Sequence, residues 1–257
     1  MFKGFFKVIK SKVSNVICSD ARLKSIIKNT KLRHFAIIAD GNRRWTKEKG
    51  FPRGEGHRKG FIQTTPTLCT RLLDLGVHTV TVWCCSLHNL SREMDEVENF
   101  LNAFNTMINK MLPDIKSRGI RIVHLGRKDV LPDQLRVSLE VAECETKENS
   151  NGVINFAIAY SGDDEMCRAI QKYHAKESID LITPEKIKCY LDTADQPYPC
   201  PDLIVRTAEE QRLADFMPFR TTYSELYFPK AYYPDYVGRH IANAIVAFSL
   251  RRRLFSK

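Results

Sequence analysis

The chain has 257 residues, 43% of them hydrophobic, and a formal net charge of +10. That length and apolar share allow one full core in a single large domain and exclude a disordered or low-complexity chain. The charge is lopsided: residues 1–33 carry seven Lys and two Arg against Asp20 alone, a net +8, so the body lacks the basic stripe of a duplex-binding domain and no nucleic acid is expected as a partner.

In chain order, MFKGFFKVIKSKVSNVI comes first. Its Phe2, Phe5, Phe6, Ile9, Val13, Val16 and Ile17 recur at helical spacing, with Lys3, Lys7, Lys10 and Lys12 between them, which predicts a basic amphipathic helix. No apolar run approaches the ~20 residues that a membrane span needs. Such a helix lies in the headgroup layer of an anionic membrane, docks on the protein's own body or on a partner, or serves as a targeting peptide. Residues 1–33 are therefore taken as an arm and 34–257 as the folded domain.

Strand-like runs follow at HFAIIA (34–39), VHTVTVWCCS (77–86), IRIVHLG (120–126), VINFAIAY (153–160) and DLIVRT (202–207), with a short one at ELYF (225–228). Helix-length segments separate them at about 55–75, 93–117, 132–148, 162–177 and 184–192, with a last one at 238–253. Val- and Ile-rich strands alternating with helices, without strict polar alternation, predict an α/β domain whose mostly parallel sheet is flanked by helices. The eight cysteines form no CxxC pair and no zinc-like cluster, so free thiols in a reducing cytosol are expected.

In a parallel sheet, ligands bind beyond the carboxyl ends of the strands. The first strand stops at Asp40-Gly41-Asn42-Arg43-Arg44-Trp45, followed by Arg53 and by His57 in GEGHRKG. A glycine directly after a buried strand lets backbone amides approach an anion. A carboxylate can hold a hard cation while Arg43, Arg44 and Arg53 neutralise phosphate oxygens.

HFAIIADGNRRWTKEKGFPRGEGHRKG resembles the first signature of the cis-prenyltransferases, the family of undecaprenyl and dehydrodolichyl diphosphate synthases. SLHNLSREMDEV (86–97), DLIVRTAEEQRLADF (202–216) and YSELYF (223–228) continue the resemblance in order, from about residue 34 to the C-terminus. It implies a Mg2+-dependent transferase that joins isopentenyl diphosphate to an allylic diphosphate such as farnesyl diphosphate, giving a Z-polyprenyl diphosphate. It further implies a homodimer, a hydrophobic tunnel for the prenyl chain, and a cytoplasmic enzyme peripheral on a membrane.

By the same resemblance, Asp40 holds the metal and assists departure of diphosphate. Gly41, Asn42, Arg43, Arg44, Arg53 and His57 surround the allylic diphosphate, and Trp45 lies in the same signature, although a Trp there could equally be core. Arg206 and Arg212 match the isopentenyl diphosphate site and Glu225 a second metal contact. Ser86, Asn89 and Arg92 match a loop over the reacting carbons, with His88 and Leu90 inside it and Glu96 in the following helix. Asn89 orients rather than accepts a proton, because an amide is a poor base. Phe100, Ala103, Phe104 and Met107 match one wall of the tunnel, although such a stripe is more often plain core.

The pattern breaks at Leu87-His88-Asn89-Leu90, which lacks the family's acid and aromatic. Ala214 replaces a serine, Asp164 stands in a segment where arginine is common, and a C-terminal Arg-x-Gly is absent. The altered residues concentrate at the isopentenyl diphosphate site. Three other readings therefore stand beside elongation: an irregular, lavandulyl-type synthase joining dimethylallyl units, a silent partner subunit, and, weakest, a nucleic-acid module.

Overall fold

The computed structural model describes residues 18–176 and 182–251. The amphipathic helix expected within residues 2–17 and the last six residues lie outside this range. The first described helix, α1 (Asp20–Thr30), belongs to the body although the sequence groups it with the arm. It buries Leu23 and Ile27, starts at a Ser19 cap whose Oγ accepts from Arg22 N, and ends at Lys31 in a left-handed conformation. Arg71 clamps its first turn through Asp20.

All six expected strands form. They are β1 (His34–Ile38), β2 (Thr79–Trp83), β3 (Ile120–Leu125), β4 (Gly152–Ala157), β5 (Leu203–Arg206) and β6 (Glu225–Tyr227). They make one parallel sheet in the order β3-β4-β2-β1-β5-β6. Every residue of β1, β2 and β4 is buried, because both faces are covered. This explains their unbroken apolar runs.

The helices between strands are α2 (Asn42–Glu48), α3 (Glu55–Lys59), α4 (Thr65–Asp74), α5 (Met94–Ser117), α6 (Asp133–Thr146), α7 (Gly162–Lys176), α8 (Pro184–Lys188) and α9 (Arg239–Ser249). A π-type turn, Gly60–Thr64, joins α3 to α4, so the expected helix at 55–75 is continuous but locally widened by i→i+5 closure. In the helical segment expected at 184–192, only Pro184–Lys188 is helix.

The sheet's two faces differ. Phe35, Ile37, Val80 and Val82 point into the larger core, which α1, α4, α5 and α9 complete through Leu23, Leu68, Phe104, Met107 and Ile245. Ala36, Ile38, Trp83 and Ile204 point to the opposite face, where Tyr160, Phe216 and Met217 cover them. This second face also carries a buried polar chain. Asn155 and Gln196 exchange amide hydrogen bonds of 2.8 and 3.0 Å, and Asn155 Nδ2 donates to Thr81 Oγ1 at 2.9 Å. The Thr81 hydroxyl sits 2.7 Å from His34 Nε2, while His34 Nδ1 lies 2.8 Å from the carbonyl of Tyr198. A carbonyl only accepts, so Nδ1 carries the proton, Nε2 accepts from Thr81, and the ring is neutral.

Burial holds the His34 pKa down at about 3. The unfolded chain therefore takes up a proton below about pH 6.5 that the native state refuses, and His34 subtracts stability progressively as pH falls from about 6.5 towards 3. His34→Gln should be less stable than the parent at pH 7 by about 1–3 kcal/mol through its broken buried hydrogen bonds. On acidification that gap should narrow by up to about 1.4 kcal/mol per pH unit. Urea midpoints of both proteins at pH 7, 6 and 5 check this; a gap independent of pH contradicts a neutral His34.

Candidate active site

A cleft of about 1100 Å3 opens at the carboxyl edge of β1, β2 and β5. Strand order sends the chain to opposite sides of β1, so the segments leaving these strands diverge there. Asp40 closes β1. Its backbone N–H takes Thr207 Oγ1 as acceptor at 2.8 Å, and the Thr207 hydroxyl lies 2.7 Å from its carbonyl. Its carboxylate accepts from Gly41 N at 2.6 Å, Arg206 Nη2 at 2.9 Å and Arg44 Nη2 at 3.3 Å.

Gly41 turns the chain into α2 at φ +93°, where a Cβ would meet Tyr232 Cδ1 at 2.6 Å and Ala208 Cβ at 2.8 Å. Only glycine combines that angle with that approach. The turn sends Asn42, Arg43 and Arg44 along the cleft wall. Asn42 Nδ2 ties down the Ala39 carbonyl at 2.9 Å, while its buried Oδ1 has no hydrogen-bond partner.

Five arginines line the cleft: Arg43, Arg44, Arg53, Arg92 and Arg206. Carboxylates hold them in two groups. Asp40 takes Arg206 and Arg44, and Glu210 reaches Arg44 at 3.2 Å. Glu96, on the first turn of α5 and nearly fully buried, accepts from Arg53 Nη2 and Arg92 Nη1, both at 2.9 Å, with Arg43 Nε at 3.8 Å. Burial raises its carboxyl pKa, but Arg53, Arg43 and Arg92 outweigh that and hold it below the usual range.

His57 stands beside this group, its ring 6.0 Å from Phe100. Burial, helped by Arg92 and Arg43 and opposed by Glu96, lowers its pKa to about 4. At neutral pH it is an uncharged hydrogen-bonding group. Ser86 and Asn89 cap one turn reciprocally: Ser86 N donates to Asn89 Oδ1 at 3.1 Å, and Asn89 N to Ser86 Oγ at 3.2 Å. The amide carbonyl of Asn89 is thus committed to the turn, and only its NH2 is left to donate into the cleft. His88 and Ala214 also line the cleft.

The cleft lining also carries two acids. Asp215 and Asp163 both line the cleft, and Asp215 Oδ2 accepts from Gly162 N at 2.7 Å and Asp163 N at 3.3 Å. Burial raises the Asp215 carboxyl pKa, and neighbouring Asp163 pushes it the same way. Asp164, which the sequence singles out, bonds Arg127 and Arg168 and is absent from the cleft wall.

Four residues expected at the site are not brought into the cleft. Trp45 is buried, donates Nε1–H to Asp235 Oδ2 at 2.8 Å and stacks on Phe51 at 5.2 Å, so its alternative as core is the one realised. Leu90 packs half-buried against the main core. The Arg212 side chain is 73% exposed and bound to Glu210, although its carbonyl accepts from Arg206 Nη1. Glu225 starts β6 level with Leu203, at the amino edge of the sheet, and pairs with Arg251 at 3.9 Å. Conversely, the sequence pointed to no role for Lys47, Phe51, Trp83, Cys84, Ser161 or Asp163, all of which line the cleft. Cys84 follows β2 directly, a position that strand-end reasoning could have flagged.

Among the described residues, no group of three or more His, Cys, Asp or Glu could hold a metal ion alone. Asp40 is a single hard carboxylate in an arginine-lined cleft, which suits a magnesium ion that takes its remaining ligands from water and substrate phosphates. Among the same residues, no helix is long and apolar enough to cross a membrane, and all eight cysteines are free thiols.

Residues 38–256 match the family model of undecaprenyl diphosphate synthase. The isoprenyl transferase of Bacillus cereus is 32% identical over 99% of this chain and 98% of its own length; that of Streptococcus thermophilus is 35% identical over 86% and 92%. The crystal structure of lavandulyl diphosphate synthase from Lavandula x intermedia, in complex with dimethylallyl diphosphate, superposes with a TM-score of 0.84 at 28% identity, covering 88% of this chain and 98% of that one. A probable undecaprenyl diphosphate synthase from Campylobacter jejuni shares the fold, with a TM-score of 0.71 at 24% identity over 88% and 99% of the two chains. With its parallel sheet, its arginine-lined cleft and matches that run almost end to end, the chain belongs to the undecaprenyl diphosphate synthase family and is a prenyl transferase enzyme.

Proposed function

We infer that the enzyme condenses isopentenyl diphosphate with an allylic diphosphate, such as farnesyl diphosphate, and releases a Z-polyprenyl diphosphate in a Mg2+-dependent reaction. The observation that carries this is the convergence of five arginines and one strand-end carboxylate, Asp40, on a single cleft. Breaking the allylic C–O bond leaves negative charge on diphosphate and positive charge on the prenyl fragment. Guanidinium groups fixed beforehand stabilise the departing anion more than the ester it came from.

Asp40 is the residue that would hold Mg2+, which when bound neutralises phosphate oxygens. His57, neutral, would hydrogen-bond the diphosphate without adding charge. Asn89 donates from its NH2 and orients the second substrate; the proton released on C–C bond formation goes to a weak base, with diphosphate oxygens the nearest in chemical kind.

The tunnel is part of this reading. Phe100, Ala103, Phe104 and Met107 of α5 are all buried, and Phe61 meets Phe104 edge-on at 4.4 Å. None of these four α5 residues lines the cleft. A growing chain would have to part these rings, which favours a short product. The reading also includes a homodimer across the β6 edge, where Tyr223 and Leu250 are exposed, and attachment of the basic amphipathic N-terminal segment, with Lys3, Lys7, Lys10 and Lys12, to an anionic lipid surface at the cytoplasmic side.

A second reading, irregular coupling to a dimethylallyl acceptor, has its own support: the likeness to a lavandulyl diphosphate synthase structure, together with His88 and Ala214 in the cleft lining where the resemblance expects an acid and a serine.

Incubation with farnesyl diphosphate, labelled isopentenyl diphosphate and Mg2+ should give chain extension, read as product mass. Dimethylallyl diphosphate alone should give no product; a C10 product from it establishes the irregular reading instead. Asp40→Asn should lower kcat by about 10^2–10^3, the size usual for one charge-stabilising group. Phe104→Ala, measured by the same mass analysis, should lengthen the product by at least one C5 unit. An unchanged product places the prenyl chain elsewhere.

A further inference from the structure

Glu96 makes an arrangement that the reaction as described does not require. It is an acid buried to within 5% of full coverage at the lip of a cleft meant for anions. Ordinarily such a group would be out of place, because it repels the ligand and loses its hydration. Its three partners come from three separate pieces of chain. Arg43 lies on α2, Arg53 on the loop between α2 and α3, and Arg92 at the end of the Leu87–Ser91 turn, just before α5. One oxygen, Oε1, takes Arg92 and Arg43; the other, Oε2, takes Arg53.

These side chains are otherwise loosely held. Arg43 is 65% exposed and Arg53 57% exposed, and the other partner of Arg53, Glu93, is itself 73% exposed. Three guanidiniums in one place, with no acid between them, would repel one another and spread apart. A fixed carboxylate at their centre removes that repulsion and sets their spacing.

We propose that Glu96 is a positioning residue that gathers Arg43, Arg53 and Arg92 into one cationic arc fitted to the two linked phosphoryl groups of a diphosphate, and that it thereby sets the cleft's preference for diphosphate over single tetrahedral anions. The inference rests on the diphosphate reading of the cleft given above. Glu96 touches no substrate in this role; it acts through the three arginines. His57, neutral beside them, adds no charge to the arc.

The test turns on opposite expectations. If Glu96 were only a buried counter-charge, replacing it by an isosteric amide would make the cleft more positive and tighten every anion. If it positions the arginines, the same change weakens diphosphate and spares sulfate. Calorimetric titration of inorganic diphosphate with Mg2+, and of sulfate, into the full-length protein, Glu96→Gln and Glu96→Asp measures this.

Glu96→Gln should lose about ten-fold in diphosphate affinity, the size typical of groups that orient ligand-binding side chains, with sulfate little changed. Glu96→Asp, which keeps the charge on a shorter stem, should recover part of the preference, and it carries the test if Glu96→Gln fails to fold. Diphosphate binding as tight as or tighter than the parent's in the variants, or an equal loss for both anions, overturns the inference alone. A parent protein that ignores diphosphate overturns the reading of the cleft and this inference with it.

Discussion

Five arginines lining one cleft form the constraint around which the rest of the molecule is arranged. In the absence of ligand their mutual repulsion would push the lip open, since a like-charge pair a few ångströms apart costs on the order of 1–4 kcal/mol at surface dielectric. Each group therefore has an acid of its own: Asp40 for Arg206 and Arg44, Glu96 for Arg43, Arg53 and Arg92, and Glu210 for Arg44 and Arg212. The ion pairs hold a shape as well as cancelling charge. An anion entering the cleft finds donors already placed, so less binding energy is lost in ordering them.

The sheet makes that placement possible. β1 is central and buried on both faces, and the chain leaves it through Gly41 in a conformation that no Cβ would fit. Asp40 and the first turn of α2 are thereby fixed to the most rigid part of the fold. On the second face, the chain from Gln196 to His34 satisfies buried polar atoms next to the same strand. A fully bonded network there supports a single register for β1 and β2 instead of a slipped one.

All six strands were legible because burial on both faces writes itself as unbroken Val and Ile, a signal one sequence carries unaided. The first cleft segment, Asp40 to His57, was legible because it is local: a strand end, a glycine and a run of cations. What escaped was set by long-range packing. Trp45 sits in the signature, yet its side chain turns to Asp235, about 190 residues away in sequence. Asp163 and Asp164 are neighbours, and only the helical turn of α7 decides which one faces the cleft. Glu225 belongs by pattern with the other site residues, but its register against Leu203 puts it at the far edge of the sheet. Resemblance supplies residue roles, whereas register and side-chain direction supply distances.

The unevenness of the cleft follows from one segment. Between residues 208 and 217, Ala208, Glu209, Ala214, Asp215 and Met217 all have positive φ, a conformation that costs a non-glycine residue roughly 1 kcal/mol or more. Phe216 and Met217 anchor the segment by burial against the second sheet face, and the strain is held in place by that packing. In this conformation the segment offers the cleft a methyl group from Ala214 and a carboxylate from Asp215, while the Arg212 side chain faces solvent. The backbone of residues 208–217 thereby decides which side chains reach the cleft, a methyl group and a carboxylate in place of a guanidinium.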